Sequence, residues 1–160
     1  MVYLDYAATT PYNKDVLKTY TQLLEKYFYN ADSIYSQGIE VNRLLEKSRG
    51  LLAKMLDVDE EEIIFTSCGS EANNMAIKGI AFQYQNRGKH IITTSIEHSS
   101  VYETCKELEE VFGFEVTYLP VDHTGHIQID DLKKSIRNDT ILVSVMCINN
   151  EVGSIQPLRK

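Results

Sequence analysis

The sequence predicts an α/β fold in which helices cover a largely parallel sheet. Short apolar runs, typical of buried strands, alternate with longer runs whose apolar residues recur every three or four positions, as on one face of a helix. Small and polar residues separate these runs at short intervals. Repeated strand and helix units of this kind favour parallel strands that are covered on both faces.

Two amphipathic helices are expected before the first strand. Apolar residues from Val16 to Tyr27 repeat at three and four positions, which predicts a helix over 15–27. A second run with the same period predicts another helix over 39–56.

Strands and helices are then expected to alternate to the end of the chain. Glu62 to Thr66 is predicted to form a short buried strand, followed by a tight turn and a helix that reaches Tyr84. Asp122 to Gly125 is predicted to form another turn. The remaining predicted elements are a strand at 89–94, a helix at 98–112, a strand at 114–119, a helix at 130–136 and a strand at 140–148.

Composition and charge exclude several classes of protein. The 160 residues carry a net charge of −7, whereas general binding to nucleic acid or to an anionic membrane needs clustered Lys and Arg. No apolar run of about 18 residues indicates a membrane span, and no His, Cys, Asp and Glu spacing indicates a metal site. The three cysteines are odd in number and lack a CxxC spacing, so we expect a reducing compartment, with the cytoplasm as the default.

The segment from Thr66 to Asn74 is the most informative local feature. Here a predicted strand gives way to small residues and a helix begins at once. The free N–H groups of a helix start, with the hydroxyl of Ser70 beside them, form a natural site for a phosphate group. Ligands of open α/β sheets also bind at the carboxyl ends of strands. Ser70 as a simple helix N-cap is an equally good interpretation at this point.

Two further polar groups follow the ends of predicted strands. His98 begins a helix just past one strand, where its flat ring could stack on a heteroaromatic ligand; capping or packing without a ligand is the alternative. Asn149 and Asn150 follow another strand, where their amides could bond a ligand oxygen or only fix a turn. Three strand ends would then present polar groups to one crevice, which suggests a phosphorylated aromatic ligand.

Several motifs occur together and in order along nearly the whole chain. They are residues 3–11 (YLDYAATTP), 67–74 (SCGSEANN), 77–79 (IKG), 97–101 (EHSSV) and 149–157 (NNEVGSIQP). With these motifs the chain resembles the cysteine desulfurases, which are class V aminotransferase-like enzymes of fold type I. The resemblance implies that residues 13–160 are the N-terminal part of a pyridoxal-phosphate-binding large domain, incomplete at its C-terminal end, and that residues 1–12 line the active site.

The resemblance also implies roles for individual residues. In the family, the positions matching Gly69 and Ser70 hold the phosphate of pyridoxal 5'-phosphate. The position matching His98 stacks on the pyridine ring and assists proton transfers, and the one matching Asn150 contacts the ring's hydroxyl oxygen. The implied reaction converts L-cysteine to L-alanine and leaves the sulfur on an enzyme cysteine as a persulfide. A homodimer and a sulfur-acceptor protein are implied as partners, with delivery to iron–sulfur clusters or thiolated tRNA.

The chain departs from the family pattern in three ways. Tyr35 stands where histidine is usual, in a region that lies near the substrate entrance in relatives. Cys68 stands where glycine is usual. The family's Schiff-base lysine and persulfide cysteine match no residue up to Lys160, and neither Lys78 nor Lys89 is placed to replace the lysine. We therefore expect the 160 residues alone to be inactive.

Two other kinds of function are open from sequence alone. A selenocysteine lyase or an aminotransferase would use the same cofactor, and the product that forms distinguishes these enzymes from a desulfurase. A non-catalytic binding module is an alternative of a different class.

Overall fold

The computed structural model describes residues 2–158. The chain forms two compact units, one within Met1–Phe65 and the other within Thr66–Lys160, and each is described by itself. No helix within the described residues is long and apolar enough to cross a membrane.

The first unit is helical. Its elements are α1 (Lys14–Lys26), α2 (Ser36–Leu56) and a 3₁₀ turn (Glu60–Glu62). Asn13 begins α1 because its side-chain oxygen accepts hydrogen bonds from the N–H groups of Asp15 and Val16. Asp57, with a left-handed φ of 58°, ends α2. Both helices predicted from the apolar periodicity are confirmed.

The predicted strand from Glu62 to Thr66 is wrong. Ile63 has extended backbone angles (φ −91°, ψ 116°), but the segment pairs with no other strand among residues 2–158. The carbonyl of Ile63 instead accepts a hydrogen bond from the guanidinium group of Arg49 on α2. The apolar run therefore predicts the extended conformation, whereas a strand also requires a hydrogen-bonded neighbour.

The second unit contains the alternating strands and helices. They are α3 (Gly69–Tyr84), β1 (His90–Thr94), α4 (Ser99–Phe112), β2 (Glu115–Leu119), α5 (Ile129–Ser135) and β3 (Thr140–Val143). The three strands form a parallel sheet in the order β2-β1-β3. The predicted parallel sheet is thus confirmed in this unit, as is the turn at Asp122, where the N–H of Gly125 (φ +79°) bonds the Asp122 carbonyl at 2.9 Å.

The central strand carries the core on both of its faces. Every residue of β1 is buried, and its successive side chains point to opposite sides of the sheet. Ile91 packs with residues of α3 and α4, and Ile92 packs on the opposite face with residues around α5. The first cluster includes Ala81, Cys105 and Leu108, and the second includes Leu119, Ile127 and Leu132. Helices therefore cover both faces, as predicted.

The last strand is shorter than the predicted 140–148. The Ser144 N–H still bonds the Ile92 carbonyl at 2.8 Å, which continues the ladder by one step past Val143. The Met146 N–H then donates to the carboxylate of Glu97 at 2.7 Å. A side chain from the loop after β1 thus replaces a strand partner, and the chain leaves the sheet.

His90 lies fully buried at the first position of β1. Its ring nitrogens bond the hydroxyls of Thr140 at 2.7 Å and Thr117 at 2.8 Å, so one side chain links all three strands. Burial, with a smaller effect from the positive charge of Arg137, lowers the pKa of His90. The ring is therefore neutral in the folded protein near neutral pH.

Candidate functional site

Three segments meet near the carboxyl ends of β1 and β3. They are residues 66–74, 95–100 and 144–152, and we call them the edge segments. The first two are joined by Asn73, whose side-chain amide donates to the Ser100 hydroxyl at 2.8 Å. The contact brings the start of α3 against the start of α4.

The third edge segment is joined to the second by Asn149. This side chain is almost fully buried, at 6% exposure, and its amide donates to the Ile96 carbonyl at 3.0 Å. Its oxygen accepts from the N–H groups of Glu151 and Val152, both at 2.9 Å. Asn149 therefore fixes the turn and ties it to the loop after β1.

Glu97 makes a second link between the same two segments. One oxygen of its carboxylate accepts hydrogen bonds from the Thr94 hydroxyl at 3.0 Å and from the Met146 N–H at 2.7 Å. Hydrogen bonds to a charged acceptor are stronger than neutral ones. Glu97, which immediately precedes His98, is thus held in place by two hydrogen bonds from different parts of the chain.

The start of α3 differs from the sequence interpretation in which Ser70 is the N-cap. Cys68 is the N-cap, and Gly69 and Ser70 occupy the first turn. Cys68 has extended backbone angles (φ −166°, ψ 171°) that any residue adopts, so the thiol replaces the usual glycine without backbone strain. Asn74 donates from its side chain to the Ser70 carbonyl at 3.0 Å, while the Ser70 side chain itself is exposed.

The first turn of α3 fits a phosphate group. The first hydrogen bond within the helix runs from the Ala72 N–H to the Cys68 carbonyl, so the amides of residues 69–71 precede it, as at any helix start. A Cβ atom added to Gly69 would meet no atom within 4 Å, so there is open space beside the backbone of this residue. The nearby carboxylate of Glu71 accepts the Ser67 N–H at 2.6 Å. Amides that have no partner within the helix, at its positive end, are the donor set that phosphate requires, although those of Ser70 and Glu71 also face the Cys68 thiol.

The same helix start changes the acidity of Cys68. The thiol is exposed, and the Ser67 hydroxyl lies 3.7 Å from its sulfur. Hydrogen bonding from the Glu71 N–H, and then from the Ser67 hydroxyl and the Ser70 N–H, lowers the pKa of Cys68. By contrast, burial raises the pKa of Cys105, inside α4, to about 11.

His98 caps α4 with its side chain. Its Nδ1 atom accepts the Ser100 N–H at 3.1 Å and lies 2.8 Å from the Ser100 hydroxyl oxygen. The side chain is exposed. His98 therefore caps α4, and capping through Nδ1 leaves Nε2 free of hydrogen bonds to the described residues.

The site residues expected from sequence lie on the edge segments, and no side-chain hydrogen bond joins one of them to another among residues 2–158. Gly69 and Ser70 lie on the first segment and His98 on the second; Asn150 lies on the third, exposed, with its amide donating to the Glu151 carboxylate at 3.0 Å.

Sequence reasoning missed the connecting roles of Asn73, Glu97 and Ser100, whereas fixing a turn, which Asn149 does, was one of its two interpretations. One signal could have found Ser100, since an N-cap side chain regularly accepts the N–H two or three residues later. Among residues 2–158, no group of three or more His, Cys, Asp or Glu side chains lies close enough to hold a metal ion.

A family model described as aminotransferase class V matches residues 2–160. The chain belongs to this family. Among class-V relatives, the cysteine desulfurase IscS of Dictyoglomus turgidum is 51% identical over 159 residues, which make up 99% of this chain and 40% of that protein. The chain thus spans less than half of the length of this relative.

Two solved structures have folds similar to that of this chain. A NifS-like protein matches 98% of this chain, and 43% of its own, with a TM-score of 0.91 and 44% identity. A structure titled SspA in complex with cysteine matches 97% of this chain, and 44% of its own, with a TM-score of 0.88 and 38% identity. The expected fold, the N-terminal part of the fold type I large domain, is confirmed by these matches.

Proposed function

We propose that the protein containing this chain is a pyridoxal-phosphate-dependent cysteine desulfurase. It converts L-cysteine to L-alanine and transfers the sulfur to an enzyme cysteine as a persulfide. The observation that carries the proposal is the meeting of the edge segments, because each bears a motif of the desulfurases and all three are joined by hydrogen bonds. The cysteine desulfurase named among the relatives and the relative solved with cysteine support the choice of substrate.

In this proposal the cofactor lies along the edge segments. The amides of the first turn of α3 and the hydroxyl of Ser70 bind the phosphate, since a helix start combines free donors with a positive dipole. Gly69 leaves space for the phosphate to approach the backbone. His98 stacks on the ring, and Asn150 bonds the ring's hydroxyl oxygen. When bound, pyridoxal phosphate supplies an electron sink that stabilises negative charge at the substrate α-carbon.

The chain's own residues provide positioning and one proton carrier. His98 moves a proton at Nε2, the ring nitrogen that is not used for capping. Glu97 and Asn149 hold the loop that carries His98 against the third edge segment. A fixed ring position matters because errors of about 1 Å in the placement of a reacting group can cost about 100-fold in rate.

The proposal includes the partners and compartment expected from the resemblance. These are a homodimer, a sulfur-acceptor protein, and a cytoplasmic location in which the reaction supplies iron–sulfur clusters or thiolated tRNA. Cys68, Cys105 and Cys147 are all free thiols, which fits a reducing compartment. Residues 1–12 as a segment lining the active site, and 13–160 as part of the cofactor domain, belong to the same proposal.

A product assay tests the function. The intact protein that carries this chain, loaded with pyridoxal phosphate, is given L-cysteine and a thiol reductant, and alanine and sulfide are quantified. We expect equal amounts of the two products, and a loss of about 100-fold or more in His98→Gln. Formation of a keto acid would indicate an aminotransferase. Formation of no product by a protein that retains the cofactor would favour a binding module.

A further inference from the structure

The hydrogen bonds around His98 determine which ring nitrogen carries the proton. A backbone N–H can only donate, and the Ser100 N–H is directed at Nδ1 at 3.1 Å. Nδ1 must therefore offer a lone pair. In the neutral ring the proton then resides on Nε2.

The same constraint fixes the direction of the Ser100 hydroxyl. Its oxygen lies 2.8 Å from Nδ1, and because Nδ1 is an acceptor, the hydroxyl hydrogen points toward the ring. The oxygen still has lone pairs to accept a further bond. The side-chain amide of Asn73 supplies that bond at 2.8 Å.

We propose that Asn73 and Ser100 are positioning residues that hold His98 in the tautomer with its proton on Nε2. The three side chains form a directed relay in which Asn73 donates to Ser100 and Ser100 donates to Nδ1. The relay spans two helices, since Asn73 belongs to α3 and the other two residues lie at the start of α4. It thereby joins the phosphate end of the site to the ring that faces the cofactor.

The relay determines whether the free ring nitrogen of His98, Nε2, donates or accepts a hydrogen bond. Nε2 makes no hydrogen bond within residues 2–158, so it is the nitrogen available to a ligand. In this tautomer it meets the ligand as a hydrogen-bond donor. The identity of that ligand rests on the proposed function; the tautomer does not.

Imidazole ¹⁵N NMR of the intact protein, labelled at histidine, tests the relay without any turnover. Spectra are recorded at pH 8 with and without pyridoxal phosphate, and the His98 signals are assigned by their absence in His98→Gln. We expect an unprotonated Nδ1 and a protonated Nε2. A His98 ring protonated at Nδ1 in the native protein would overturn the proposal.

Variants of Asn73 separate positioning from mere packing. Asn73→Asp is nearly isosteric but can only accept, so it draws the Ser100 hydroxyl hydrogen away from His98. We expect the ratio of the Nε2–H to the Nδ1–H tautomer to fall about fivefold, the effect of one net hydrogen bond. Asn73→Gln keeps an amide donor and retains the native ratio. Asn86→Asp, an exposed change beyond the other end of α3, is the charge-matched control.

A double variant provides the strictest test of the relay. In a Ser100→Ala background the hydroxyl is absent, so Asn73→Asp no longer changes the tautomer ratio. An equal change with and without Ser100 would show that Asn73 acts by another route and would overturn the proposal. Alanine production is measured in parallel. A native tautomer as expected, in a protein that makes no alanine, would refute the proposed function alone, whereas alanine production with Nδ1 protonated would refute the relay alone.

Discussion

Cys68 places a thiol at the N-terminus of α3, where the helix amides stabilise its thiolate form and lower its pKa. We therefore predict that Cys68 reacts with iodoacetamide at lower pH than an ordinary thiol does. Cys105 has no exposed surface and a pKa raised to about 11, so it serves as an internal control.

The test of this prediction is the pH dependence of alkylation in the native protein, measured for each cysteine by peptide mass spectrometry. Cys68 is labelled first, and Cys105 only after unfolding. Bound phosphate protects Cys68 if the first turn of α3 is the phosphate site. A Cys68 that stays unlabelled where a free cysteine reacts would contradict the thiolate assignment.

Glu97 supports a second prediction at the level of one residue. Glu97→Gln keeps the size of the side chain but removes the charge that strengthens the bonds from Thr94 and Met146. We expect the free energy of unfolding to fall by about 1–2 kcal/mol. Urea denaturation measures the change, and Glu103→Gln on the exposed side of α4 is the matched control. Equal effects of the two substitutions would refute the role given to Glu97.

Residue types alone pointed to the edge segments but not to the bonds inside them. His98 and the asparagine pair could be selected because ligands of open α/β sheets bind at the carboxyl ends of strands, where these polar side chains follow apolar runs. The separate tasks of Asn149 and Asn150 could not be assigned, since both have the same side chain and differ only in burial. Which asparagine is buried depends on the path of the turn, which brings the Asn149 amide to the Ile96 carbonyl.

Among elements, the five helices of residues 2–158 were all predicted, with ends within a few residues. Strand ends were less predictable because they depend on partners. The extended segment after α2 pairs with no strand among the described residues, and β3 ends where the Glu97 carboxylate replaces the next ladder bond. Apolar runs report burial, whereas hydrogen-bond pairing is a property of the assembled sheet.

Gly88, between α3 and β1, gives a prediction at the element scale. A Cβ atom there would overlap the backbone of Asp139, which immediately precedes β3, and this backbone cannot move without disturbing the sheet. We expect Gly88→Ala to lower the free energy of unfolding by about 2 kcal/mol or more. Gly79→Ala on α3, where a Cβ meets nothing within 4 Å, is expected to be neutral or to stabilise by up to about 1 kcal/mol. The denaturant midpoints of the two variants measure these changes. A Gly88→Ala variant as stable as the native protein would contradict the predicted overlap with the Asp139 backbone.

The buried His90 predicts a pH dependence of stability. Its pKa is lowered in the folded state, so below a pH of about 6.5 the unfolded chain binds the additional proton. The stabilisation is complete above that pH and is lost as the pH falls toward the folded pKa. We expect urea midpoints to drop between about pH 7.5 and pH 5.5, and to drop less in His90→Gln. Identical pH profiles for both proteins would exclude His90 as the cause.

For the molecule as a whole, the order of the motifs identified the family. The division of the chain into two compact units could not be predicted from the sequence. The apolar residues of α1 predicted a helix with one buried face, yet no residue of α1 is buried within the described chain. Val16 and Tyr20, for example, are 60% and 58% exposed. Periodicity predicts that a face is apolar but does not identify what covers it.

The central claim is that the edge segments hold pyridoxal phosphate, and cofactor affinity tests it most directly. The dissociation constant is measured by absorbance titration of the cofactor-free intact protein and its variants. We predict that Ser70→Ala and Asn150→Ala each weaken binding by about tenfold or more, because each removes a hydrogen bond to the cofactor. Ser135→Ala, the same change on α5 away from the edge segments, leaves the constant unchanged. Native affinity in both Ser70→Ala and Asn150→Ala would contradict the claim.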